Sequence, residues 1–203
     1  TLNIDSLDTI DGQFYLSSNN NLDVLSAPAL TLIKGNLQFN SNNGIDEVHL
    51  DSLTEIQGQF RFDYNNNVQV VSMPLLSELN GQLYIQYNDS LETILIPSLM
   101  EVGSNLEIQY NYQVETVDLT SLVTVNGSFQ MYSLNQMDEL NLSALQEVNG
   151  SFNVSNCSSL TSFSAPLFDD LSGSLTIRDN SDLASIDLSS LTCVSDYTVV
   201  GND

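Results

Sequence analysis

The chain has 203 residues, 41% of them hydrophobic, enough for one domain or one repeat array with a true core. Its 26 carboxylates face three strongly basic side chains, Lys34, Arg61 and Arg178, for a net charge of -23. That balance excludes nucleic acid and an anionic membrane surface, which call for a basic face, and no apolar run is long enough to span a membrane.

Read in chain order, the sequence repeats. The first residues, LNIDSL, fit the tail of a unit. Units then open at Ile10, Ile33, Ile56, Leu79, Val102, Val125, Val148, Leu171 and Val194, a constant spacing of 23 residues. Counting that residue as position 1, glycine holds position 3 from Gly12 to Gly173, except in the fifth unit, where it shifts to Gly103. Such a glycine supplies either a backbone conformation or a close approach that a Cβ would block. Position 5 runs Phe14, Leu37, Phe60, Leu83, Leu106, Phe129, Phe152 and Leu175. Position 7 runs Leu16, Phe39, Phe62, Ile85, Ile108, Met131, Val154 and Ile177. With polar residues at 4, 6 and 8, this alternation predicts a strand with one buried face. Apolar residues return at 13, 16, 18 and 21, as in Leu91, Ile94, Ile96 and Leu99, and 16–18 predicts a second short strand. Pro28, Pro74, Pro97 and Pro166 recur at position 19, which argues against a helix on the back of each unit. The gaps read as turns, and the last residues, YTVVGND, fit the head of a ninth unit.

A unit of this kind cannot bury its apolar residues alone, but stacked units can. The predicted fold is therefore an all-β parallel β-solenoid over residues 1–203, with eight to nine rungs of 23 residues. At about 4.8 Å per rung this makes a rod roughly 40 Å long. Because the chain enters and leaves mid-unit, with Thr1 following no Met or signal-like segment, the expectation is a processed chain or part of a longer array or assembly.

Position 10 carries Asn19, Asn42, Asn65, Asn88, Asn111 and Asn180, an inward ladder that would satisfy the backbone of a buried turn. Leu134 and Cys157 interrupt it as an apolar patch, and a buried cysteine is usually inert. The second cysteine, Cys193, falls on a different wall, so an intrachain disulfide is not expected.

The pattern G-x-L-x-I-x-x-N-x-x-L with its L-x-x-L tail, seen in GQLYIQYNDSLETILIPSLMEV and GSLTIRDNSDLASIDLSSLTCV, resembles the leucine-rich receptor L domain. That family occurs in insulin-receptor and growth-factor-receptor ectodomains and in fungal cell-wall glycoproteins anchored at the surface. The resemblance covers nearly the whole chain and implies an extracellular or cell-surface setting, with repeats acting as scaffold, ligand-binding surface or cell-wall component. This chain departs from it in a repeat length that never varies, in lacking cysteine-rich neighbours and in being nearly free of lysine. A fold resemblance does not carry a hormone-receptor role.

Chemistry-bearing residues are few. The single histidine, His49, sits at an outward position with no nucleophile beside it, so no catalytic triad can be drawn and the reading is non-enzymatic. Acidic residues recur at fixed positions, notably Glu55, Glu78 and Glu101 at position 23. They form either a solvated acidic face or a row of weak sites for a divalent cation such as Ca2+; no dedicated calcium loop or other cofactor motif appears. The outward face of the first strand, taken as positions 4, 6 and 8, is rich in glutamine and includes Tyr84 and Tyr132, and position 9 beside it stacks Tyr64, Tyr87 and Tyr110. This stripe suits carbohydrate or protein, and equally a well-formed β surface. No position is consistently threonine, as an ice-binding file would require. Six Asn-x-Ser/Thr sequons occur; Asn88 is on the inward ladder, whereas Asn126, Asn141, Asn149, Asn153 and Asn156 lie at outward positions open to N-glycosylation.

Two functions follow as expectations. The first is an extracellular structural or adhesive glycoprotein of a cell surface, wall or filament, partnered by itself or by other surface proteins. The second is a receptor-like or carbohydrate-binding module working through the tyrosine stripe.

Overall fold

The computed structural model describes residues 1–202. Its 23-residue repeat winds into a parallel β-solenoid of about nine rungs with no helix among the described residues. The core strand of each rung covers positions 5–8. These four-residue strands, from Phe14–Ser17 to Tyr197–Val200, stack as one nine-stranded parallel sheet. Register is kept by like-on-like pairing, as in Leu83 on Phe60 and Leu106, and Ile85 on Phe62 and Ile108. From Leu37 to Ile177 every residue at positions 5 and 7 is buried. Each such side chain contributes roughly 1.5–3 kcal/mol on leaving water, gained only because the next rung is present.

The second expected strand is present at positions 15–17, from Val24–Ser26 onward. It does not run unbroken. Its strands form three separate three-stranded sheets, with no ladder joining Glu47–His49 to Val70–Ser72, or Thr116–Asp118 to Glu139–Asn141.

Three sequence expectations need correction. The gap before position 1 is not only a turn: positions 23 and 1 form a third wall, an eight-stranded sheet of two-residue strands from Thr9–Ile10 to Asp170–Leu171. Two residues are too few to display an alternation. The repeat length is not constant either. In the last strand Leu175 pairs with Tyr197, a step of 22, because the rung below has no counterpart of the third wall and takes a shorter path. Finally, position 8 is not an open outward position: Asp63, Gln86 and Ser155 are buried there.

Position 9 is the turning point of each rung. Ser18, Ser41, Tyr64, Tyr87, Tyr110, Ser133, Asn156 and Asp179 all have φ between 53° and 60°, the left-handed region. Gly201 takes the same place in the last rung with φ 68°. This kink ends the strand, turns the chain inward, and delivers position 10 to the core. It costs about 1–2 kcal/mol per non-glycine residue. The asparagine ladder offsets it. Asn65 donates its backbone N–H to Asn88 Oδ1 at 2.9 Å, and its Nδ2 to Phe39 O at 2.9 Å and Asp63 O at 3.1 Å. Asn88 repeats this on Asn111 Oδ1, Phe62 O and Gln86 O. Three bonds per rung, at about 0.5–1.5 kcal/mol each, outweigh the strain.

The ladder lapses at Leu134, which offers no oxygen to Asn111. At Cys157 the side chain is fully buried and its thiol lies 3.6 Å from Ser155 O as donor. Its own N–H returns to Asn180 Oδ1 at 2.9 Å. The ladder then closes on Asn202, which the sequence pattern left out because of the shortened last step.

The glycines of position 3 serve close approach rather than an unusual φ. A Cβ on Gly81 would stand 2.5 Å from the backbone carbonyl of Gly58, and one on Gly35 2.6 Å from that of Gly12.

Candidate functional site: a file of stacked tyrosines

On the flank of the nine-stranded sheet, position 9 turns from serine to tyrosine for three consecutive rungs. The shared left-handed kink gives the three side chains the same exit angle, and rung spacing sets them one strand apart. Tyr64 and Tyr87 stack with ring centroids 5.0 Å apart and planes 9° from parallel. Tyr87 and Tyr110 stack at 4.8 Å and 3°. Tyr132, from position 8 of the next rung, closes the file edge-on against Tyr110 at 5.2 Å and 64°. The five tyrosines singled out from sequence are therefore not equivalent: four form one file, and Tyr84 belongs to a neighbouring cluster.

In that cluster Arg61 lies 4.9 Å from the centre of the Tyr84 ring. The same guanidinium grips Asp63 with two bonds, Nε to Oδ1 at 3.1 Å and Nη2 to Oδ2 at 2.9 Å. Asp63 is almost wholly buried, at 2% exposure, so this carboxylate is held by its partner rather than by water. Asn40, with its amide nitrogen turned toward it, adds a bond to Asp63 Oδ1 at 2.7 Å. The Asp63 hydrogen bond pushes the Arg61 pKa further up, keeping the guanidinium charged. Burial, and then the neighbouring phenols Tyr110 and Tyr64, push the Tyr87 phenol up as well; burial likewise raises Tyr84. The Tyr84 and Tyr87 phenols are thus held neutral at physiological pH. Sequence reasoning missed Asp63, whose signal was an acidic residue two places after the only arginine in the first six units.

A second, exposed amide row runs beside the file at position 11. Asn20 Oδ1 accepts the Asn43 N–H at 3.1 Å, Asn43 Oδ1 the Asn66 N–H at 3.1 Å, and Asn66 Oδ1 the Asp89 N–H at 3.3 Å. Positions 9 and 11 flank the inward position 10, so both rows face solvent on the same edge.

Other sequence candidates are dispersed. Glu55, Glu78 and Glu101 do stand in register across three rungs. Among the described residues no three carboxylate, histidine or cysteine side chains converge as a metal-holding group. Clefts of about 290 and 280 Å3 open at the two gaps in the broken wall. The first is lined by Glu115, Asp118, Asp138 and Glu139, and the second by Asp46, Glu47, Asp51 and His49, whose ring meets only Glu47 at 3.1 Å. Of the sequon asparagines, Asn88 is buried, Asn126 and Asn149 are exposed, and Asn141, Asn153 and Asn156 are half-buried. Cys157 and Cys193 are both free, the first buried and the second exposed.

Comparison of the chain with protein families, with curated proteins and with solved structures gives no match. The similarity to the receptor L domain therefore rests on the repeat motif alone. No helix is long and apolar enough to cross a membrane.

Proposed function

We propose that this chain is a non-catalytic β-solenoid scaffold of an extracellular or cell surface, with a structural or adhesive role, and that the tyrosine file is its recognition surface. The observation that carries this reading is the continuous stack Tyr64–Tyr87–Tyr110 on a left-handed backbone position, closed by Tyr132 from the adjacent strand. Elsewhere that position holds Ser, Asn, Asp or Gly, small or locally hydrogen-bonding residues suited to the kink. The kink is common to every rung and is offset by the asparagine ladder, so the tyrosines add no strain of their own, and each stacked pair contributes about 0.5–1.5 kcal/mol while holding the rings in one rigid, solvent-facing row. Amphipathic rings with a polar tip are the side chains that interfaces favour. Partners of this surface would be other surface proteins, further copies of the chain or carbohydrate.

The test replaces Tyr64, Tyr87 and Tyr110 together by serine, the residue of Ser18, Ser41 and Ser133, so that the kink keeps a native occupant. Immobilised protein is then offered beads coated with polysaccharide or with protein ectodomains. Capture by the natural chain and its loss in the folded triple variant are expected; undiminished capture would remove the file from the role. Intact-mass measurement of native material tests the setting, with hexosamine-bearing mass at Asn126 or Asn149 expected.

A further inference from the structure

Stacking has a chemical cost that bears on what this file can hold. Parallel rings 4.8–5.0 Å apart cover one another, so Tyr87 and Tyr110 offer solvent their edges and hydroxyls, not their faces. The far side of Tyr110 is closed by Tyr132. One face is left. Tyr64 is 46% exposed, and among the described residues no aromatic ring or guanidinium lies on its side away from Tyr87.

On that side the file drops to serine. Ser41 and Ser18 hold position 9 in the two preceding rungs, giving a shelf about 10 Å long that ends at the Tyr64 ring as at a wall. The shelf is bordered by Asn20 and Asn43. Their amide oxygens are engaged by the backbone N–H of Asn43 and Asn66, which fixes both amides, and neither Nδ2 has a hydrogen-bond acceptor among the described residues, so each is a donor free for a ligand. Ser18 Oγ, 3.3 Å from Ser17 Oγ, adds a hydroxyl pair at the far end. Beneath the wall, the Arg61–Asp63 pair and Asn40 lock the strand that carries Tyr64.

We propose that this step is a binding site for a neutral pyranose, one or two residues of a hexose glycan. The sugar stands on the Ser41–Ser18 shelf with its apolar C–H face against Tyr64, and its hydroxyl oxygens accept from Asn20 and Asn43. A ring face with fixed amide donors beside it matches a pyranose, which is apolar on its faces and polar around its rim. A net charge of -23 disfavours acidic sugars, which the same donors could otherwise attract. The proposal rests on the reading of the tyrosine file as the recognition surface and narrows it to one end.

The chain contains no tryptophan, so its intrinsic fluorescence reports on its eight tyrosines. Titration with laminarihexaose, cellohexaose, a mannohexaose and, as the acidic control, a galacturonate hexamer gives the affinities, with saturation-transfer NMR locating the contact. At least one neutral hexamer is expected to bind, and the galacturonate not. Tyr64→Ala should weaken binding about tenfold or more, Tyr64→Phe should keep it within about threefold, and Tyr110→Ala, at the other end of the stack, should weaken it less than Tyr64→Ala does. Asn43→Asp, which removes the donor at nearly constant shape, should weaken it; circular dichroism checks that each variant is folded. Equal losses from Tyr64→Ala and Tyr110→Ala would overturn the step while leaving the file as the binding surface. Failure of all neutral hexamers to bind, with bead capture still dependent on the three tyrosines, would overturn the sugar and leave a protein-binding file.

Discussion

Asn88 shows what one side chain does in this fold. It accepts the Asn65 N–H, donates to Phe62 O and Gln86 O, and is wholly buried. Asn88→Ala strands those groups and leaves a small void, so urea unfolding should show a loss of about 2–4 kcal/mol. Asn19→Ala, at an exposed end of the same ladder, should cost less than about 1 kcal/mol. The contrast separates burial from residue type. Cys157 supplies a pH test. Burial pushes its thiol up to about 11, although hydrogen bonds from Leu134 and Ser133 favour the thiolate. A thiol in the unfolded chain titrates near about 8.5, so the folded state binds the proton more tightly. The associated stability is fully present below that value and is lost as pH rises toward 11, by roughly 3 kcal/mol at most. The natural protein should therefore lose more stability between pH 8 and 11 than Cys157→Ala does. Ellman's reagent at pH 8 should modify the exposed Cys193 and spare Cys157 until the chain unfolds. The ladder asparagines were legible in the sequence because each one's partner is the same residue a unit away. Asp63 was not, since its meaning depends on its burial beneath Arg61 and Asn40, a contact between side chains that the repeat does not encode.

Among the elements, the glycines discriminate packing from flexibility. A Cβ at Gly81 meets the Gly58 carbonyl and the Gln59 nitrogen, both backbone, so the rungs must move apart. At Gly12, in the first rung, nothing lies within 4 Å. Gly81→Ala should lower stability by about 1–3 kcal/mol. Gly12→Ala should be neutral or raise it by up to about 1 kcal/mol through the unfolded state. Thermal unfolding of the two variants side by side checks this; equal losses would mean that position 3 is a conformational requirement after all. The four-residue strands were readable from their alternation, and the strands at positions 15–17 from their apolar centre. The two-residue strands of the third wall were not, because a pairing that short leaves no period and is imposed by the rungs on either side. Nor did anything in the consensus mark the two interruptions at Glu47–His49 and Thr116–Asp118, where acidic clefts open in a wall that is otherwise laddered.

At the scale of the whole molecule, a charge of -23 sits on a rod roughly 40 Å long. Like charges in register, as at Glu55, Glu78 and Glu101, oppose folding, and salt relieves them once the Debye length falls to about 10 Å near 0.1 M. The melting temperature should therefore climb between 10 and about 300 mM NaCl. With no convergent carboxylate group among the described residues, CaCl2 at matched ionic strength should raise it no further than NaCl. An additional rise that disappears in Glu78→Gln would show that the acidic file binds the ion.

By itself the sequence determined the period, the inward files and the asparagine ladder, since in a solenoid every buried contact joins one position to its own copy in the next unit. A single repeat therefore encodes the core. The tertiary structure alone decided which residues the left-handed kink turns outward, where the outer wall breaks, and that stacking closes every face of the three parallel tyrosines but one. Those features depend on how neighbouring rungs turn and meet in space, and no spacing along the chain records that.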